Sequence, residues 1–191
     1  MFGNNIDRDK FLEYAYTKDI MKITGPPCDW LKTYNLKSWG FRRYDKTERA
    51  YASFKKGDIF VFHSMKQEYL PADPGVKTGI IGIGILSCKK IIDNEPYDGA
   101  FTPEGYRPLK IYFSDVWFFG DTDKIINESI AEKKKKGIGY IMKDIYNLTK
   151  NIISFSEMRE NDCVISTQGA VSKISPEKSK RLLKLIAGRL H

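Results

Sequence analysis

The chain has 191 residues, 41% of them apolar and 13% aromatic, and its 32 Lys and Arg against 24 Asp and Glu give a formal net charge of +8. That length suits one domain with a real core, and basic charge together with many rings is the pairing that nucleic-acid binders use. No apolar run approaches the ~18 residues of a membrane span, and the opening MFGNNIDRDK lacks the apolar stretch of a secretion signal. Cys28, Cys88 and Cys163 are too few and too scattered for a disulfide framework or a CxxC zinc site. The histidines are only His63 and His191, so a multi-histidine metal site is out of reach. A cytoplasmic compartment with reduced thiols is expected.

Residues 6–18 mix Ile6, Phe11, Leu12 and Ala15 with charges and predict a short amphipathic helix. Ile20 to Thr24 reads as a strand stopped by Gly25-Pro26-Pro27. Asp29 is placed to cap a helix over residues 30–37, and Arg42, Arg43, Lys46 and Arg49 then crowd a polar loop. Lys55-Lys56-Gly57-Asp58 is a turn launching the β-rich run Ile59 to Ser64. Gly79 to Leu86 is apolar on both faces, hence a buried strand, and Leu109 to Phe119 is a third strong strand after a long loop over 93–108. Helical spacing of Ile125, Ile126, Ile130 and then Ile141, Ile145, Leu148 predicts two helices broken near Gly137 to Gly139. Asp162 to Thr167 reads as a last short strand. Ser175-Pro176 starts a final helix with Ser as N-cap and Pro at the first helical position, and Gly188 can end it. Five or six strands and four or five helices, segregated along the chain, make an α+β fold with a small curled sheet.

Enzyme signatures are missing: there is no GxSxG, HExxH or P-loop lysine pattern. Gly79, Gly82 and Gly84 lie inside an apolar strand with no helix after it, so they read as close-packing or bending positions rather than a dinucleotide fingerprint. His63 ends a strand beside Ser64 without a Ser or Cys nucleophile system, which favours hydrogen bonding over general-base work. Lys133 to Lys136 reads as a solvated helix face, with contact to a phosphate backbone as the other reading.

The order of segments is more telling than any one of them. Ile23-Thr24-Gly25-Pro26-Pro27-Cys28-Asp29-Trp30 precedes a short helix and Ser38-Trp39-Gly40-Phe41. Then come Lys55-Lys56-Gly57-Asp58 with Ile59 to Ser64, Gly79-Ile80-Ile81-Gly82-Ile83-Gly84, a Tyr/Phe-rich strand, and Gln168-Gly169-Ala170-Val171-Ser172-Lys173-Ile174. This succession resembles the EVE domain of the PUA-like superfamily, which also contains YTH domains. It looks most like the EVE-type domains at the N-terminus of McrB-like subunits of modification-dependent restriction systems. The resemblance runs from residue 20 to 188 and is weakest over 121–160, which reads as a helical insertion in a single domain spanning 1–191.

The resemblance implies a curled, barrel-like sheet with a pocket at one end that accepts one modified, flipped-out base between aromatic walls. Ring stacking then replaces the lost stacking partners at about 1–3 kcal/mol per base. Matched position by position, Trp39 is one wall, Asp29 or Thr24 meets the base edge, Phe62, His63 and Ser64 line the strand end, and Gln168 hydrogen-bonds the base. The second wall comes from the long loop, where Tyr97, Phe101 and Tyr106 are available, while Trp30 is equally a core residue. Arg42, Arg43 and Lys46 are the phosphate contacts. The implied activity is non-catalytic and needs no cofactor: reading a methylated base in DNA for an AAA+ motor and nuclease outside this segment, with no membrane partner. The end at Arg189-Leu190-His191 suits the N-terminal domain of a longer chain. The alternatives are an RNA-binding reader, an ASCH-type hydrolase using His63, and a module for protein contacts. On the reader expectation, Trp39→Ala costs about 1–3 kcal/mol of binding and leaves the fold intact.

Overall fold

The computed structural model describes residues 8–65, 78–92, 107–125, 128, 130–166 and 168–190. Helix α1 (Arg8–Tyr16) buries Phe11 and Ala15, four apart on one face, and leads into β1 (Ile20–Gly25). Helix α2 (Pro27–Leu36) starts with Pro at its first turn, where a missing N–H costs nothing, and closes on Lys37 in the left-handed region at φ 48°. Strand β2 (Ser38–Phe41), helix α3 (Asp45–Ser53), and strands β3 (Ile59–Ser64), β4 (Gly79–Ile91) and β5 (Leu109–Phe118) follow. After a 3-10 turn at Thr122–Lys124 come α4 (Ile130–Lys136), α5 (Ile138–Leu148), α6 (Phe155–Glu160), β6 (Val171–Lys173) and α7 (Pro176–Ala187).

The six strands form one sheet in the order β2-β5-β4-β3-β1-β6. Only β1 and β3 run parallel, from Ile20↔Ile59 to Gly25↔Ser64; the other pairs are antiparallel. A parallel pair needs a crossover, and here α2, β2 and α3 lie between the two strands in the chain. Register shifts at Phe62/His63 and around Leu86 curl the sheet into a half-barrel. At Gly84 a Cβ would stand 2.7 Å from the rings of both Phe62 and Phe113, so the glycine lets aromatic rings cross the strand.

Strand alternation splits the core in two. Met21, Ile23, Phe60 and Phe62 face a cluster with Trp30, Trp39, Phe113, Ile141 and Ile145. Ile20, Ile59 and Val61 face another, with Phe11, Ile80, Ile153 and the α7 residues Leu182, Leu183 and Ile186. Residues 121–150 thus contribute α5 as a wall of the first cluster, and α4 and α5 meet near the expected break at Gly137.

Four expectations need correction. Asp29 does not cap α2; the helix begins at Pro27, and the Asp29 carboxylate is turned to Arg107 instead. The polar loop after Phe41 is only three residues long before α3 begins. Helix α6 was not anticipated, although Ser154 accepts from the Glu157 N–H at 3.2 Å in a Ser-x-x-Glu pattern that marks a helix start. Residues 162–166 are not a strand: the Ser166 carbonyl, with those of Gln168 and Gly169, turns to the Lys22 ammonium, and the paired segment is β6.

Candidate nucleic-acid interface

The C-terminal ends of β1 and β3 meet the start of α2 and strand β2, and the sequence crowds aromatic rings there. Trp30 and Trp39 stack with centroids 4.2 Å apart and 22° between planes. Phe62 extends the stack behind Trp30 at 4.9 Å. The Trp30 indole N–H donates to the Gly25 carbonyl at 3.0 Å. A Cβ at Gly25 would run into the Trp39 ring, so glycine there is what lets the indole lie across the strand end. The Arg107 guanidinium sits 6.0 Å from the Trp39 ring centroid and bonds Asp29 at 3.0 Å, with both side chains nearly buried.

This geometry alters the expected role of Trp39. Its exposure is 5%, with one face on Trp30, so the ring is part of a packed stack rather than one open side of a slot. Phe62 is fully buried in that stack and packs on Phe113 and Phe118. Truncating a buried aromatic costs about 3–5 kcal/mol. Trp39→Ala should therefore cost stability as well as any binding.

The polar residues at the same strand ends have a different character. Thr24 pairs with His63 and Gly25 with Ser64 across the parallel strands. Thr24 Oγ1, His63 Nδ1 and Ser64 Oγ are all buried and find no hydrogen-bond partner among the described residues. Native proteins rarely leave buried polar atoms unsatisfied, because each costs about 1–3 kcal/mol. Alternation puts Ser64 on the side of Trp39 and Phe62, while Thr24 and His63 share the opposite side with Lys22. Burial, helped by the Lys22 charge, pushes the His63 imidazole down to about 4, so it is neutral at physiological pH.

Lys22 is fully buried and donates to the carbonyls of Ser166, Gln168 and Gly169 at 3.0, 2.9 and 3.1 Å. Burial pushes it down to about 8. It fixes the loop carrying Gln168, whose own residue stays exposed beside the strand ends. Neither Lys22 nor Arg107 stood out in the sequence. A lysine in an apolar strand, Ile20 to Ile23, was the one available signal for the first; Arg107 lies 78 residues from Asp29 and gave none.

Among the expected phosphate contacts, Arg43 is exposed and paired with Glu48 at 2.9 Å, Lys46 is exposed on α3, and Arg42 is half-buried. Phe101 and Tyr106, like Tyr97, lie outside the described residues. The run Lys133 to Lys136 is not one solvated face: Lys133 is buried against Asp144 at 2.6 Å, and Lys136 bridges to Glu128. No group of three or more His, Cys, Asp or Glu able to hold a metal occurs among the described residues. No helix among them is long and apolar enough to cross a membrane.

No protein-family model matches the chain, and no curated protein matches it in sequence. Solved structures do. A protein of Pseudomonas syringae is similar over 90% of this chain and 99% of its own, at 16% identity and a TM-score of 0.46. The DUF55 domain of human thymocyte nuclear protein 1 is similar over 87% and 97%, at 13% identity and 0.43. The human THYN1 protein in complex with 5-methylcytosine-containing DNA is similar over 88% and 98%, at 13% identity and 0.38. All three scores lie below 0.5, so none of them fixes what this chain binds.

Proposed function

We propose that this chain is an EVE-type, non-catalytic reader of a modified base in DNA, and that it takes the base at the C-terminal ends of β1 and β3. The observation that carries the reading is the pair Thr24 Oγ1 and His63 Nδ1, buried on one side of the strand ends with no partner among the described residues, with Ser64 Oγ in the same condition on the other side. Hydroxyls and a neutral imidazole are the donors and acceptors that read a base edge. The Trp39–Trp30 stack, with Arg107 beside it, holds the ends of β1 and β3 rigid around those atoms. Arg43 and Lys46, with Arg42, supply cations for the phosphates, and the excess of basic residues favours a polyanion.

Fluorescence anisotropy with duplexes that differ in one modified base tests the reading. The wild type should prefer the modified duplex at least fivefold over the unmodified one, with affinity falling as salt rises. Ser64→Ala and Thr24→Val should erase most of that preference. Equal binding of both duplexes would sink it, and a tenfold preference for matched RNA would transfer the same site to an RNA reader. The finer reading belongs to the same proposal: the domain delivers an AAA+ motor and a nuclease borne on other segments or subunits. Co-purification with such partners from the native host tests it, and purification alone counts against it.

A further inference from the structure

A concavity lies at the other end of the central strands. Its volume is about 610 Å³, and its lining includes Lys10, Lys18 and Lys56 with Tyr14, Ile85 and Leu86. Gly57, also in the lining, precedes β3, whereas Ser64 ends it. At about 3.3 Å per residue the two sites stand roughly 20 Å apart. We propose that this cleft is a separate binding site for a small organic anion with a flat apolar body, of the nucleoside monophosphate class.

Three observations support that chemistry. The volume falls within the roughly 300–1,000 Å³ of small-molecule sites, which pair an apolar lining with a few placed polar groups. The apolar share is here: Ile85 and Leu86 come from β4, and the Tyr14 ring is held as a wall by its hydroxyl, which donates to the Gly57 carbonyl at 2.9 Å. The cationic share is here too. Lys18 Nζ stands 5.0 Å from the Tyr14 ring centroid, and Lys10 and Lys56 are exposed. Two carboxylates stand near enough that, after burial, they push the Tyr14 hydroxyl's pKa up, so the three lysines are set against two buried charges. Asp58 and Asp115 are buried and turned to protein donors, the Lys55 N–H and the Ser114 hydroxyl, each at 2.7 Å. Ser87 adds a hydroxyl for a sugar or a phosphate oxygen.

Isothermal titration calorimetry of the whole chain with AMP, adenosine and inorganic phosphate tests the proposal. AMP should bind saturably and at least tenfold more tightly than adenosine or phosphate. Lys56→Glu, a change at an exposed position, should weaken AMP at least fivefold, and Ser87→Phe, which fills the cleft without changing its charge, should do the same. Absence of saturable AMP binding overturns the proposal. So does equal binding of adenosine, which would mean an apolar slot, or of phosphate, which would mean a bare cation patch. Loss of AMP binding in Ser64→Ala with retention in Lys56→Glu would place the nucleotide at the strand-end site and also overturn it. None of these outcomes depends on whether the chain reads modified DNA.

Discussion

The helical segment over 121–150 and the parallel pair β1–β3 each bury a lysine, and they do so in opposite ways. Lys133 of α4 meets the Asp144 carboxylate of α5, and both side chains are shut away from solvent. That pair is charge-balanced and serves to dock one helix on the other. Among the described residues Lys22 of β1 meets no carboxylate; three backbone carbonyls hold it, beside a neutral His63 and a Thr24 hydroxyl with no partner there. An uncompensated buried charge next to idle polar atoms is costly. Desolvated titratable groups with shifted protonation cluster at functional sites. On the proposed function, the contrast separates a polar pair that builds the fold from a polar cluster kept for binding.

The sharpest way to break the contrast is at the balanced pair. Asp144→Ala should cost about 3–5 kcal/mol by stranding Lys133, whereas Lys133→Met with Asp144→Leu should be close to neutral; urea melts measure both. At the strand ends, the His63 imidazole sits near 4 when folded and near its ordinary 6.5 when unfolded. The unfolded chain therefore binds more protons between those values, and stability should fall as pH drops from about 6.5 to 4, by on the order of 3 kcal/mol. His63→Gln should flatten that limb of the stability–pH curve; an unchanged slope would mean the imidazole takes up its proton as readily in the fold as in the unfolded chain. Lys22→Met strands three carbonyls and should cost about 1–3 kcal/mol, with hydrogen exchange speeding first over 166–170. The smallest effect has the opposite sign. Thr24→Val and Ser64→Ala each remove an unsatisfied buried hydroxyl and should stabilise the free protein by about 1 kcal/mol while weakening DNA binding. Loss of stability in both would show that the hydroxyls already have partners.

What could be read in advance follows the range of the interaction. Strands β1, β3 and β5, the break between α4 and α5, and the Ser175-Pro176 start of α7 were legible because each rests on local alternation, spacing or capping. Strand β6 was not, since three residues without a strong pattern become a strand only through the edge of β1. The aromatic end of the molecule was visible in Trp30, Trp39 and Phe62, but which ring is wall and which is core depends on the stacking order, a tertiary fact. Arg107 and Lys22 act across 78 and more than 140 residues, and no window along the chain contains both ends of either contact.

The late position of β6 has a consequence for the nascent chain. It pairs with Met21 to Ile23, yet it is synthesised after nearly all the rest of the sheet. Until it leaves the ribosome, one side of β1 is an open template for another copy's backbone, and a charge in the middle of such an edge discourages that pairing. Lys22 stands there, so the position that anchors the Gln168 loop in the folded chain also places a charge in the middle of that edge.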